Sequence, residues 1–105
     1  MKASAVRFRP LAEADLVELY DFIALQAGLS VAGDFIDRIE KACLALAHFP
    51  NRGSRRDELR PGLRILGFER RTAIAYVVTG NEVVIARVFY GGRDIALHSL
   101  GLDDD

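Results

Sequence analysis

The 105-residue sequence has one cysteine, no tryptophan and no long hydrophobic run. The single cysteine, Cys43, cannot form an internal disulfide or build a zinc site by itself. No segment approaches the roughly 20 apolar residues of a membrane span, and no apolar run follows Lys2 as it would in a signal peptide. We therefore expect a cytoplasmic protein that does not enter a membrane.

The composition is that of a folded domain. Hydrophobic residues make up 50 % of the chain and charged residues 28 %, which argues against intrinsic disorder. A chain of this length has room for one hydrophobic core, so we predict one domain over residues 1–105. Without tryptophan, that core must be built from Leu, Ile, Val, Ala and Phe.

The charge is unevenly distributed although the formal net charge is only −1. Residues 11–50 carry seven acids and two bases, whereas residues 51–94 carry nine bases and five acids. An acidic first half and a basic second half can present two different faces, which suggests distinct partners. The near-zero net charge gives no reason to expect direct, sequence-specific nucleic-acid binding.

Hydrophobic periodicity predicts the order strand, helix, helix and three strands. Pro10 suits a first helical position, Gly28 a helix C-cap, and Ser30 the N-cap of the second helix. Gly80 and Asn81 suit a two-residue hairpin turn. The predicted elements are a strand Ala5–Arg9, helices Leu11–Ala27 and Ser30 to about His48, and strands Leu63–Leu66, Thr72–Thr79 and Glu82–Tyr90.

These elements predict an α+β fold, with an antiparallel helical hairpin packed on a mostly antiparallel sheet. Both faces of the last predicted strand are largely apolar, so we expect that strand to be central and covered on both sides. Cys43 falls on the apolar stripe of the second helix and is expected to be a packing residue. Tyr76 is expected to lie in the core or to face a partner.

Several segments, in this order, resemble the landmarks of RelE/ParE-type toxins, and the ParE branch fits best. The resemblance runs from Val6 to Asp94. It is carried by PLAEADLVELYDFIA, FIDRIEKACLALAHFPNRG, RDELRPGLRIL, TAIAYVV and VVIARVFYGGRD. The most specific parts are Pro50 with Gly53, Gly62-Leu63-Arg64, Tyr76, Arg87-Val88 and Arg93-Asp94.

The resemblance implies the toxin of a type II toxin–antitoxin pair, neutralised by a cognate, ParD-like antitoxin and requiring no cofactor. ParE-type members inhibit DNA gyrase without nuclease activity, whereas RelE-type members cleave mRNA on the ribosome. The implied target is therefore DNA gyrase, with a RelE-like ribosome-dependent mRNA endonuclease as the alternative. A toxin-like fold that has lost toxicity and acts only as a binding module is a third reading.

The chemistry of the sequence disfavours the nuclease alternative. RNA cleavage by 2′-OH attack needs a base, an acid and cations, and RelE-type toxins use several Lys and Arg residues and often a C-terminal Tyr. Here the lysines are Lys2 and Lys41, Ala73 stands where RelE-type strands often have Arg, and His98 is the titratable residue of the segment IALHSL. The sequence offers no carboxylate pair, nucleophile–His pair or metal-ligand cluster, so we predict no catalytic residues and no metal site.

Toxicity is predicted to depend on one end of the sheet. If the strands carrying Arg64 and Arg87 lie in one antiparallel sheet, the two arginines can converge there. Several guanidinium groups would suit a carboxylate-rich or phosphate-bearing target. The predicted residues are Arg64, Arg87, Tyr90 and Arg93. Alternatively, these arginines are paired inside the molecule. Arg87 would then bind an acid in the core, and Glu69, Glu82 or Asp94 could pair with these arginines.

The antitoxin is predicted to bind by a helix in an apolar groove and a strand on a sheet edge. The helical hairpin carries more bulky side chains than one core stripe requires. We expect the groove residues to include Leu16, Leu19, Tyr20 and Phe35. The alternative is that these residues belong to the core. The arginines of the connection, Arg52, Arg55, Arg56 and Arg60, are interpreted as a solvated loop rather than a binding patch.

Overall fold

A computed structural model of the protein describes residues 5–69 and 71–91. They form two helices and a five-stranded sheet, which confirms the predicted α+β fold. The elements are β1 Ala5–Phe8, α1 Pro10–Ala27, α2 Leu29–Ala45, β2 Ser54–Arg55, β3 Leu63–Phe68, β4 Thr72–Thr79 and β5 Glu82–Tyr90. Arg93, Asp94 and His98 lie outside the described residues.

The sheet has the strand order β1-β5-β4-β3-β2. Strands β2 to β5 are antiparallel neighbours, whereas β1 runs parallel to β5. The last strand is therefore flanked by β1 and β4, as its two apolar faces predicted. A bulge interrupts the pairing of β4 with β5 between Ala75 and Tyr76, where Ala75 faces Arg87 and Tyr76 faces Ile85. Such a bulge locally redirects side chains on the strand that carries the extra residue.

A single residue joins the two helices. Pro10 occupies the start of α1, where its missing N–H leaves no hydrogen bond unmade. Gly28 has φ +98°, which a residue with a side chain rarely adopts, and its N–H donates to Ala24 O at 2.9 Å. The predicted N-cap at Ser30 is wrong because α2 already begins at Leu29, directly after Gly28.

The helical hairpin packs on one face of the sheet and builds the main core. Inward residues of both helices meet β4 and β5 residues on one face of the sheet, and the bulge shifts the alternation in β5 from Ile85 to Val88. The buried members of this cluster are Ala12, Leu16, Leu19, Phe35, Ile39, Cys43, Leu46, Ile74, Tyr76, Val83, Ile85 and Val88. Cys43 is completely buried there, as predicted, and burial raises the pKa of its thiol to about 12. The side chain is thus a packing residue that stays protonated at neutral pH.

A smaller cluster lies among the intervening residues of the same strands. It contains Leu63, Ala75, Ala86 and Phe89, with Leu59, Ile65, Ala73 and Val77 packed against it. Alternation along each strand places these side chains on the face away from the helices. The expectation that both faces of β5 are covered is therefore confirmed.

Three strand assignments differ from the sequence prediction. Strand β3 continues to Phe68 instead of ending at Leu66, and the short β2 was not predicted. Strand β1 ends at Phe8, one residue before the predicted end at Arg9. A strand of two residues has no period from which it could be predicted, which explains why β2 was missed.

Candidate functional site

Among the described residues, β1 ends before β5 does and pairs only with its first half. The last β1 residue, Phe8, pairs with Ile85, and the Arg9 N–H then donates to Ile85 O at 3.0 Å. Farther along β5, the Val88 N–H faces α1 and donates to Asp15 Oδ2 at 2.9 Å. A side chain of α1 therefore satisfies an edge group that β1 is too short to reach.

The same carboxylate binds Arg87 in a two-pronged ion pair. Arg87 Nε and Nη2 donate to the two Asp15 oxygens at 2.7 and 2.9 Å. The side chains are only 15 % and 14 % exposed, and the Arg87 guanidinium lies 5.1 Å from the Phe89 ring centroid. These hydrogen bonds raise the pKa of Arg87, while burial opposes that rise. The alternative in which Arg87 is paired with an acid is therefore the observed one.

Of the three acids named as possible internal partners, two bind other arginines, and Asp94 lies outside the described residues. Glu69 bonds Arg38 at 2.8 Å, and Glu82 bonds Arg7 at 3.4 Å. Asp15 is 72 residues from Arg87 in sequence, and nothing in the local pattern distinguished it from the other acids of α1.

Arg64 serves a different structure, which we call the Tyr76 anchor and define as Tyr76, Arg64 and the loop Pro50–Gly53. Arg64 Nη1 donates to the carbonyl oxygens of Gly53 at 2.7 Å and Asn51 at 3.2 Å. The Tyr76 hydroxyl accepts from the Gly53 N–H at 2.8 Å and donates to Pro50 O at 2.9 Å. The loop after α2 is thus tied to strands β3 and β4.

The anchor leaves no room for a side chain at Gly53. A Cβ atom there would lie 2.8 Å from the Tyr76 hydroxyl and 3.0 Å from Ile65 O. Burial raises the pKa of Tyr76, and the hydrogen bond from Gly53 partly offsets this effect. Tyr76 is therefore a core residue that remains protonated. Of the two predicted positions, in the core or facing a partner, the core position is confirmed.

Tyr90 lies among aromatic rings at the C-terminal end of β5. Its ring centroid is 6.0 Å from that of Phe22 and 5.9 Å from that of Phe35, both in edge-to-face geometry. Phe35 also contacts Phe68, and the guanidinium of Arg71 lies 5.8 Å from the Tyr90 centroid. This cluster joins both helices to the sheet.

A groove of about 440 Å³ opens beside this ring, between α1 and the ends of β4 and β5. We call it the Tyr90 groove and define it by its lining residues. They are Asp15, Glu18, Leu19, Phe22, Gln26, Arg71, Val88, Tyr90 and Gly91. Its volume falls within the roughly 300–1,000 Å³ typical of ligand pockets, and its walls combine apolar rings with both signs of charge.

The residues predicted for toxicity have different contacts in the structure. Arg64 belongs to the Tyr76 anchor and Arg87 to the Asp15 pair, whereas Tyr90 lines the groove. Arg93 lies outside the described residues. Because Arg64 and Arg87 each bind oxygen atoms of the protein itself, they do not form an open arginine cluster with Tyr90.

The residues predicted for the antitoxin groove occupy mixed positions. Leu16, Leu19 and Phe35 are at most 9 % exposed and belong to the main core, and Tyr20 is half-buried. Leu19 nevertheless also lines the Tyr90 groove. Sequence reasoning missed Phe22, which is 47 % exposed at the groove wall. The available signal was a bulky aromatic residue on the otherwise acidic side of α1.

The arginine-rich connection neutralises much of its own charge. Arg55 bonds Asp57 at 2.9 Å and Arg56 bonds Glu58 at 2.6 Å. Asp57 also accepts a hydrogen bond from the Gly62 N–H at 2.8 Å. This bond lowers the pKa of Asp57 most, and the hydrogen bond from Arg55 lowers it further. These contacts fit the interpretation of a solvated loop.

The described part of the chain gives no sign of a metal centre or a membrane segment. No group of three or more His, Cys, Asp or Glu side chains in residues 5–69 and 71–91 could hold a metal ion. Neither helix in those ranges is long and apolar enough to cross a membrane.

Comparison with known proteins defines the class. Residues 6–95 match the family described as the ParE toxin of the type II toxin–antitoxin system parDE. The chain is 33 % identical over 91 residues to Toxin ParE3 of Caulobacter vibrioides, covering 87 % of this chain and 89 % of that protein. Its fold matches a chain of the chromosomal ParDE system from P. aeruginosa with a TM-score of 0.74 and 27 % identity, covering 84 % of this chain and 96 % of the other.

The chain therefore belongs to the ParE family of type II toxin–antitoxin toxins. The resemblance from the sequence segments is confirmed, including the preference for the ParE branch over RelE.

Proposed function

We propose that this protein is a cytoplasmic toxin that binds and inhibits DNA gyrase and is neutralised by a cognate, ParD-like antitoxin. Membership of the ParE family over residues 6–95 carries the proposal. The similar structure comes from a chromosomal ParDE system, in which a toxin is accompanied by its antitoxin. The proposed action is binding, without a catalytic step of its own.

The target contact is proposed to lie at the residues predicted for toxicity. Tyr90 contributes to an accessible groove, and Arg93 follows it closely in sequence. Arg64 and Arg87 act in this proposal as positioning residues. The Arg64 guanidinium holds the loop after α2, and the Arg87 guanidinium holds the Asp15 carboxylate that caps the edge of β5. Arg87 orients the Asp15 carboxylate that accepts the Val88 N–H, two residues before Tyr90, so its loss would disturb the presentation of that ring.

The direct test is a gyrase supercoiling assay with toxin that has been separated from its antitoxin and refolded. We expect loss of supercoiling and gyrase-dependent DNA breaks, and we expect added antitoxin to restore activity. Normal supercoiling with excess folded toxin would contradict the gyrase proposal. Codon-specific cleavage of translated mRNA, seen by primer extension during toxic expression, would instead establish the endonuclease alternative.

A second test locates the toxicity residues. Arg64, Arg87, Tyr90 and Arg93 are each replaced by Ala, folding is checked by thermal melting, and growth arrest is measured. Folded Tyr90→Ala and Arg93→Ala variants are expected to lose growth arrest. Glu13→Ala, on α1 but outside the groove lining, serves as the control. Full toxicity of all four folded variants would place the target contact elsewhere.

A further inference from the structure

We propose that the Tyr90 groove binds an antitoxin segment whose apolar anchor is flanked by a cation on one side and a carboxylate on the other. The cation would meet Glu18 on the α1 wall, and the carboxylate would meet Arg71 on the sheet wall. This inference rests on the proposed antitoxin partnership and adds the chemistry and orientation of the bound segment.

The apolar part of the argument comes from Phe22 and Tyr90. Phe22 is 47 % exposed although its ring packs edge-to-face on Tyr90 at 6.0 Å. Leu19 and Val88 form the floor between these rings, and both are almost completely buried. An aromatic wall over an apolar floor suits one bulky side chain of a partner, because such anchors dominate the energy of protein interfaces.

Glu18 supplies a negative charge on the α1 wall that Arg87 attracts only at longer range, since no salt bridge joins the two side chains. Its side chain makes no hydrogen bond or salt bridge with any other described residue. The neighbouring cation, Arg87, already directs two nitrogen atoms to Asp15. Residues 10–27 contain no Lys or Arg, so α1 itself offers Glu18 no cation.

Arg71 supplies a positive charge on the opposite wall. It lies over the Tyr90 ring at 5.8 Å and has no salt bridge to a carboxylate of the described residues, Glu18 included. The Gly91 N–H donates to the Arg71 backbone oxygen at 2.9 Å. This hydrogen bond joins the residue just before β4 to the residue just after β5. The guanidinium is thereby presented at the groove from a fixed backbone.

Covering the groove would remove both charges from water, which is unfavourable unless the partner pairs them. A purely apolar segment would leave Glu18 and Arg71 buried and unpaired. A segment with charges of one sign would match one wall and repel the other. The complementary segment therefore carries its cation and its carboxylate on opposite flanks of the apolar stripe, and this arrangement also fixes its direction.

Charge reversal on each wall tests the inference. The dissociation constant of the toxin for its purified antitoxin is measured for the unaltered chain, Glu18→Lys and Arg71→Glu. Each reversal is expected to weaken binding by about tenfold or more, because it replaces attraction by like-charge repulsion. Asp21→Lys is the matched control, since Asp21 is an exposed acid of the same helix outside the groove lining and its reversal should leave binding within about threefold.

Compensating changes in the antitoxin provide the sharper result. Each Lys or Arg of its toxin-binding half is changed to Glu, and one such variant should rebind Glu18→Lys at least about tenfold better than the unaltered antitoxin does. An Asp→Lys or Glu→Lys change elsewhere in the same segment should likewise restore binding to Arg71→Glu. Folding of both toxin variants is confirmed by thermal melting before affinities are compared.

The outcomes separate the groove from the partnership itself. Tight binding by the unaltered chain with unchanged affinity of both reversal variants would overturn the groove assignment while leaving the antitoxin proposal intact. Failure of the unaltered chain to bind the antitoxin would contradict the proposed function directly. Equal weakening by Asp21→Lys would show general charge attraction and would also overturn the specific pairing.

Discussion

The Tyr76 anchor and the Tyr90 groove are both built around a tyrosine of the same sheet, but they use their polar groups in opposite ways. The Tyr76 hydroxyl has a donor and an acceptor at 2.8 and 2.9 Å, and Arg64 bonds two further carbonyl oxygens of the same loop. Around Tyr90, by contrast, Glu18 and Arg71 have no salt-bridge partner among the described residues.

This difference separates a region built for rigidity from one suited to binding. A buried polar group that is already satisfied gains little from a partner protein but costs stability when its own partner is removed. An exposed ring with unpaired charges contributes less to folding and remains available for recognition. Substitutions at the anchor should therefore change stability, and substitutions at the groove should change affinity.

The largest loss of stability is expected for Tyr76→Phe. Removing the hydroxyl leaves the Gly53 N–H and the Pro50 carbonyl buried without their partner. At about 1–3 kcal/mol for an unsatisfied buried group, the free energy of unfolding should fall by roughly 3 kcal/mol. Urea unfolding of Tyr76→Phe and Tyr90→Phe measures the contrast.

Tyr90→Phe is the matched control, because the Tyr90 hydroxyl makes no hydrogen bond with another described residue. Its stability should change by less than about 0.5 kcal/mol. Equal losses in the two variants would remove the distinction between anchor and groove.

The Asp15–Arg87 pair lies next to the groove but belongs functionally with the anchor. Asp15→Asn removes the charge that holds Arg87 and weakens the cap on the Val88 N–H. Because both side chains are mostly buried, we expect a loss of about 2–3 kcal/mol, somewhat below that of a fully buried pair. Asp21→Asn, on an exposed position of the same helix, should change stability by less than about 0.5 kcal/mol.

A thermodynamic cycle with Arg87→Met isolates this interaction. The double variant Asp15→Asn/Arg87→Met should be more stable than the sum of the two single losses predicts, since neither charge is left unpaired. Simple additivity would mean that the pair contributes no coupling energy.

Much of the fold could be predicted because its signals are local. Pro10 and Gly28 mark the ends of α1 through their own backbone preferences. Two apolar runs on either side of the Gly80-Asn81 turn predicted β4 and β5 to their terminal residues. The N-cap prediction at Ser30 was wrong because capping propensity alone does not reveal that Gly28 ends one helix and directly precedes the next.

The site was harder to predict because its contacts are distant in sequence. Arg87 on an apolar strand correctly indicated an acidic partner, but seven acids precede residue 50 and the pattern did not select Asp15. The partners of Arg64 could not be predicted for a related reason. The carbonyl oxygens that bind Arg64 are presented by the shape of an irregular loop, which side-chain periodicity does not encode.

A smaller loss is expected for Gly53→Ala. The added methyl group would meet the Tyr76 hydroxyl at 2.8 Å and its Cε1 atom at 2.9 Å, closer than carbon atoms pack. Displacing the ring should cost about 1–2 kcal/mol, as overpacked cores do. Thermal melting of Gly53→Ala and of Gly33→Ala provides the comparison, because a Cβ at Gly33 has nothing within 4 Å. A neutral Gly53→Ala would show that the loop moves freely and is not anchored.

The smallest effect, and one of opposite sign, is expected at Thr72. Its hydroxyl is buried and has no hydrogen-bond partner among the described residues, although Thr72 lies directly opposite Tyr90 in the sheet. Replacing an unsatisfied hydroxyl by a methyl group of similar shape removes a desolvation cost. We therefore expect Thr72→Val to stabilise the fold by up to about 1 kcal/mol, measured by urea unfolding. The same change at exposed Thr79 of the same strand should have little effect. A destabilised Thr72→Val variant would mean that the hydroxyl is satisfied after all, and the contrast with Tyr76 on this strand would then disappear.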